Sequence, residues 1–180
     1  MSGLPLIQPE TATGQAADLL AAVQKALGVT PNMTKAMANS PAVLKAYLEF
    51  SGTLGGGSLT AAVRERIALL VAQENGCDYC LSAHTYIGTK LAGLSQDEAT
   101  AARKGEADDS QAAAALILAT VLVRNQGTVT DEQLTAARQA GLSDGEIAEV
   151  VANVALNVFT NYLNKAGRVA IDWPVVTHEH

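Results

Sequence analysis

The chain has 180 residues, 48% of them hydrophobic but only 4% aromatic, and 12 basic groups set against 18 acidic ones for a net charge of −6. That length suits one well-buried core rather than two independent ones, and the apolar content excludes a disordered chain. The scattered basic residues form no phosphate-tracking stripe, so nucleic acid is not an expected partner.

The punctuation predicts an all-α bundle in a single domain over residues 1–180, with extended tails at 1–11 and 168–180. Helices are expected near 12–27, 31–39, 41–54, 59–74, 78–92, 96–103, 109–125, 131–140 and 144–166. Thr30-Pro31 and Ser40-Pro41 each place a capping hydroxyl before a proline, whose missing N–H suits the first helical position. "GTLGGGS" at 52–58 reads as a flexible linker. "AGLSQDEA" and "AGLSDGEI" repeat one junction: Gly93 and Gly141 can end a helix, and Ser95 with Glu98 and Ser143 with Glu146 form capping boxes that start the next. Asp108 with Gln111 and Thr130 with Gln133 carry weaker versions of the same pattern.

The apolar run "AAAALILATVLV" at 112–123 is shorter than the ~20 residues of a membrane-spanning helix, so a buried core helix is expected there and no membrane partner. "MSGLPLIQPETA" shows no secretory pattern, and a reducing cytoplasmic setting follows as the expectation.

Chemistry concentrates in "NGCDYCLSAHTYIG", residues 75–88. A helix starting near Cys77 puts Cys77, Cys80 and His84 within about 60° of one another on one face. A thiol near a helix N-terminus is favoured as thiolate, and a C-x-x-C pair can close across one turn, so an oxidised thiol has a resolving partner in reach. The same residues could instead be buried small hydrophobes, or zinc ligands with Glu65 or Glu74 as a fourth. Against zinc stands the lack of a second Cys/His pair, since His178 and His180 fall in the tail and are expected to face solvent. Upstream, Glu65 lies between Arg64 and Arg66 beside the stripe of Val63, Ile67, Leu70 and Val71, and periodicity alone makes it a solvated surface charge. Should it face the thiols, it would orient His84 and raise its basicity.

The last helix carries Ile147, Val150, Val151, Val154, Val158 and Tyr162 on one side, with Asn153, Asn157, Asn161 and Asn164 beside them. Asparagine is a poor mid-helix residue, so this stripe is read as a polar network lining a cavity or subunit contact, or as an exposed face.

The run from Glu65 to His84, "ERIALLVAQENGCDYCLSAH", resembles the motif of the AhpD-like alkyl hydroperoxidase and carboxymuconolactone decarboxylase family, and "PNMTKAMANSPAVLKAYLEF", "NVFTNYLNKAG" and "DWP" resemble its flanking helices. The resemblance implies an all-α AhpD-like fold and a peroxidase in which Cys80 is the peroxidatic thiol, Cys77 the resolving thiol, and Glu65 with His84 a proton relay. It further implies no tightly bound cofactor, an external dithiol reductant such as a dihydrolipoyl-carrying (lipoylated) protein, and a homo-oligomer, trimer or hexamer. In that assembly the asparagine stripe, Asn157 and Asn161 included, is expected to support the site or meet a neighbouring subunit. Decarboxylation is disfavoured because the lactone decarboxylase branch typically lacks the cysteine pair. The pattern departs at Tyr79, where hydroperoxidases carry a histidine. Tyrosine donates a hydrogen bond but is no base near neutral pH, so peroxide turnover would be supported differently. A thiol–disulfide oxidoreductase or redox sensor using the same cysteines remains the rival reading.

Overall fold

The computed structural model describes residues 3–179, and the described residues contain helices and no strands. The helices are α1 (Gly14–Leu27), α2 (Asn32–Met37), α3 (Pro41–Gly55), α4 (Ala61–Glu74), α5 (Asp78–Lys90), α6 (Gln96–Arg103), α7 (Ser110–Arg124), α8 (Asp131–Gln139) and α9 (Asp144–Gly167). The capping boxes of Ser95 with Glu98, Thr130 with Gln133 and Ser143 with Glu146 all form, each supplying a hydroxyl to one unpaired N–H and a carboxylate or amide to another.

Three expected starts and one linker differ. Pro31 itself is the N-cap of α2, and the Thr30 hydroxyl donates to Gln24; the first N–H of α2, on Asn32, is taken instead by the Asp172 carboxylate, 2.7 Å away. Ser40 caps α3 with Pro41 in the first turn, yet its side chain makes no capping bond. Asp109 rather than Asp108 caps α7, accepting from the Ala112 N–H at 2.7 Å, while Gln111 bonds Glu146 across to α9. The glycine-rich "linker" is largely helical: α3 continues to Gly55, and the following turn is held by Glu149, which accepts from the N–H groups of Ser58 and Leu59.

Helix α4 is the axis of the molecule. Val63, Ile67, Ala68, Leu69, Leu70, Val71 and Ala72 are all buried, so this helix is apolar around most of its circumference because α5, α6, α7 and α9 pack on different sides of it. The run at 112–123 is the expected core helix, with Ala115, Leu116 and Ala119 fully buried against α4 and α9. A smaller cluster of Leu20, Met37, Ala38 and Leu44 closes the end formed by α1, α2 and α3.

Helix α9 faces inward by a different stripe from the one expected. Ile147, Val150 and Val154 are buried, but Val151 and Tyr162 are 45% and 61% exposed, whereas Asn153, Asn157, Asn161 and Asn164 are all buried within the chain. The asparagines are therefore neither an exposed face nor a subunit contact; they belong to the interior.

The segment after α9 is extended, as expected, and is docked rather than loose. Val169 is buried, Trp173 and Val176 pack on the core, Val176 exchanges hydrogen bonds with the Ser82 hydroxyl, and Arg103 donates to the carbonyl of Thr177. His178, expected in solvent, instead lies 2.7 Å from the Asp78 carboxylate and sits over Gly76. His180 lies outside the described residues.

Candidate active site

The site is built by the turn between α4 and α5. Gly76 takes φ +57°, and the Cys77 N–H reaches back to the Ala72 carbonyl at 2.9 Å, a helix C-terminus closed by a left-handed glycine that reverses the chain at once. Helices α4 and α5 thus run antiparallel. Gly88 keeps them close where it matters: a Cβ there would meet Leu94 at 3.1 Å and the Cβ of Glu65 at 3.7 Å. Glu65 on α4 and His84 on α5 consequently face each other, with His84 Nδ1 2.8 Å from Glu65 Oε2 and the side chains only 23% and 17% exposed. Glu65 is not the solvated charge that periodicity favoured.

Cys77 is the N-cap of α5, its sulfur accepting from the Cys80 N–H at 3.4 Å. The two sulfurs are 2.7 Å apart, both cysteines are free, and they are only 1% and 2% exposed. The environments split them. The Cys77 thiol donating to Cys80 lowers the pKa of Cys80 most; burial opposes it, and the side chains of Asn164, Asn161 and Thr160 on α9 add to the lowering. The Cys77 thiol is pushed up by that same bond, by burial and by the Cys80 charge. The Cys77 thiol donating to Cys80 therefore favours the thiolate on Cys80 and the proton on Cys77.

His84 is raised above the ordinary imidazole value: burial pulls it down, but the charge and hydrogen bond of Glu65 outweigh it. With Nδ1 taken by Glu65, Nε2 is the nitrogen left to exchange a proton.

The asparagine stripe explains itself here. Asn164 Nδ2 donates to Cys80 Sγ at 3.2 Å, and Asn161 Oδ1 accepts from Asn75 Nδ2 at 2.9 Å. Asn153 and Asn157 donate to the carbonyls of Glu149 and Asn153 one turn earlier, so Asn157 shapes the helix rather than touching sulfur. Tyr79, expected beside the chemistry, turns its hydroxyl elsewhere: it accepts from the Met33 N–H at 3.1 Å and donates to Asp172 at 2.8 Å, tying α5 to α2 and the tail. Burial and Asp172 raise its phenol. Residues that sequence reasoning passed over are Asn75, Thr160 and Tyr47. Burial pushes the Tyr47 phenol up to about 12, against a lowering bond from Ser51, and the charges of Glu65 and Cys80 add to the rise. As for metal, no group of three or more His, Cys, Asp and Glu able to hold an ion occurs among the described residues, and Glu74, one imagined fourth ligand, is ion-paired with Arg124 at 2.6 Å.

Residues 41–122, from α3 to α7, match the carboxymuconolactone decarboxylase family. The family segment holds Glu65, Cys77, Cys80 and His84, whereas the amides that reach Cys80 come from α9 beyond it. No curated protein matches the sequence. Among solved structures, the chain is similar to the AhpD core of an uncharacterized peroxidase-related protein from Ralstonia eutropha JMP134, at 22% identity and TM-score 0.84 over 95% of this chain and 92% of that one. It is similar to an uncharacterized peroxidase-related protein from Silicibacter sp. TM1040, at 22% identity and TM-score 0.81 over 93% and 91% of the two chains. It is also similar to the debrominase Bmp8, crystallised as a cysteine-to-alanine variant in complex with 2,3,4-tribromopyrrole, at 20% identity and TM-score 0.79 over 94% and 91%. These likenesses establish an AhpD-like all-α fold. No helix of the described residues is long and apolar enough to cross a membrane.

Proposed function

We propose that the chain is a dithiol peroxidase that reduces a small organic hydroperoxide. The observation that carries this reading is the asymmetric pair: two free sulfurs 2.7 Å apart, with Cys80 accepting from both the Cys77 thiol and the Asn164 amide. The Cys80 thiolate attacks the distal peroxide oxygen; an S–O bond forms, the O–O bond breaks, and the departing alkoxide takes a proton from the His84 imidazolium. Cys77 then attacks Cys80 sulfur; its proton passes through His84 to the sulfenic hydroxyl, which leaves as water as the S–S bond forms. The balance is one dithiol and one hydroperoxide converted to one disulfide, one alcohol and one water. Glu65 holds the imidazole in the tautomer that both steps need.

Burial favours a small oxidant over a protein disulfide, since sulfurs 1% and 2% exposed admit a peroxide more readily than a folded partner. The likeness to two peroxidase-related proteins supports the same choice over the dithiol oxidoreductase and the lyase. No bound cofactor takes part; an external dithiol closes the cycle, and the slim dihydrolipoyl arm of a lipoylated protein suits so enclosed a disulfide. The cycle needs a compartment that keeps free thiols reduced, which the cytoplasm provides. The exposed Val151, Phe159 and Tyr162 on α9 support assembly into a homo-oligomer, a trimer or hexamer. The test is anaerobic: reduced protein mixed with excess cumene hydroperoxide and no added reductant is expected to yield one equivalent of the alcohol and then stop, and no alcohol above a protein-free control contradicts the reading.

A further inference from the structure

Two polar atoms beside Cys80 are buried without a hydrogen-bond partner: Asn161 Nδ2, a donor, and Asn164 Oδ1, an acceptor. Asn161 Oδ1 is engaged by Asn75, and Asn164 Nδ2 by Cys80 Sγ, so in each amide the other atom is the one left over. The Asn161 amide is near enough to favour the Cys80 thiolate, yet its N–H makes no hydrogen bond of normal geometry. Asn161 is fully buried and Asn164 is 3% exposed, which shuts both leftover atoms away from solvent. Leaving a buried donor and a buried acceptor unpaired costs stability, and such groups persist where another state of the molecule uses them.

Resting on the peroxidase reading above, we infer that Asn161 Nδ2 and Asn164 Oδ1 are the receptor for the sulfenic acid of Cys80. The chemistry matches these two atoms. When the peroxide's distal oxygen passes to sulfur, with the O–O bond broken and the alkoxide protonated by His84, the sulfur acquires a hydroxyl. That hydroxyl needs one donor for its oxygen and one acceptor for its hydrogen, the two capacities that α9 leaves open beside the sulfur. The reduced site is under-satisfied and the oxidised intermediate completes it. The pair also holds the sulfenic acid neutral, because its proton is engaged by Asn164 Oδ1, and a neutral sulfenic acid is the form with a good leaving hydroxyl for Cys77 to displace. Asn161 and Asn164 are in this sense groups that touch a reacting atom, not spacers of the helix like Asn157.

The experiment uses the Cys77→Ser variant, which keeps a capping hydroxyl at the start of α5 but cannot close the disulfide. One equivalent of hydrogen peroxide is added, intact mass confirms a single added oxygen, and the thermal midpoint and the side-chain amide resonances of 15N-labelled protein are recorded before and after. The expected results are a rise in midpoint of about 3 °C or more, since a buried donor and acceptor become satisfied, and a downfield move of the Asn161 side-chain N–H. In Cys77→Ser with Asn161→Leu, the rise is expected to shrink by at least about half. An added oxygen with an unchanged or lower midpoint and unmoved amide resonances overturns the inference while leaving the peroxidase reading intact. If no oxygen is added at all, it is the peroxidase reading that fails. The resonance shift needs only the single variant, so the inference is decided even if the leucine substitution prevents folding.

Discussion

Replacing Glu65 by Gln removes the charge behind His84 while keeping the size of the side chain. The carboxylate and the ring meet at 2.8 Å, with 17% and 23% of their side chains exposed, so water screens the pair only in part. A hydrogen bond to a charged group contributes ~1.5–3 kcal/mol, and ~1.4 kcal/mol is a factor of ten in rate. If the relay feeds both proton transfers, single-turnover thiol oxidation by an organic hydroperoxide is expected to slow by about 10- to 100-fold. The assay is stopped-flow fluorescence of Trp173, the one tryptophan, whose indole lies 3.4 Å from the hydroxyl of Tyr79 next to Cys80. Stability should move with pH in a defined sense. In the native protein burial pulls His84 down but Glu65 outweighs it, so the folded value is raised. The pair's contribution is therefore fully present below the ordinary imidazole range and is lost as pH rises through the folded value. In Glu65→Gln the carboxylate that opposes burial is gone, so the native advantage is expected to be largest at about pH 6 and to shrink by about pH 9. Chemical denaturation at the two pH values measures it. An unchanged rate together with a pH-independent stability difference refutes the relay.

Cys80→Ser should abolish peroxide consumption, a loss of at least about a thousandfold, whereas Cys77→Ser should still react once and then fail to turn over; peroxide-electrode traces with excess dithiol distinguish the two. Asn164→Ala removes a donor from Cys80 Sγ, and its alkylation by iodoacetamide at neutral pH is expected to slow by about threefold to tenfold, followed by mass spectrometry. Tyr79→Phe leaves the Met33 N–H and the Asp172 carboxylate without the hydroxyl that joins them, and a loss of ~1–3 kcal/mol in denaturant unfolding is expected, with earlier proteolysis of the tail. Glu149→Ala frees the N–H groups of Ser58 and Leu59 and should cost ~1–3 kcal/mol by the same measurement.

The helices were legible in the sequence because their ends carry local chemistry: a serine or threonine with a glutamate or glutamine three residues on makes its bonds within one turn, wherever the helix later packs. Where a cap comes from far away, local reading fails, as at α2, whose first N–H is taken by Asp172, 140 positions along the chain. The cysteine pair and His84 were legible for the same local reason, since one helical turn brings them to one face. Glu65 was placed by the motif and not by periodicity, because a helix buried on most sides offers no polar face to contrast with an apolar one. Helix α9 misled in the opposite way. Its valine and asparagine stripes lie side by side, and hydrophobicity alone turned Val151 and Tyr162 inward and left the asparagines undecided; a partner made of sulfur and amide, not hydrocarbon, reverses that preference. The tail has no periodicity, and its docking through Ser82, Arg103 and Asp78 depends on residues that only the fold brings to it.

The central claim is that Cys80 takes the peroxide oxygen and Cys77 displaces it. The most direct test adds one equivalent of an organic hydroperoxide to the reduced, unsubstituted protein under anaerobic conditions, and follows free thiols and intact mass together. The account predicts the loss of both thiols with a mass decrease of about 2 Da, and a Cys77–Cys80 bridge in the peptide map. Two thiols still free after prolonged exposure, or an oxygen retained on sulfur with Cys77 unreacted, would contradict it.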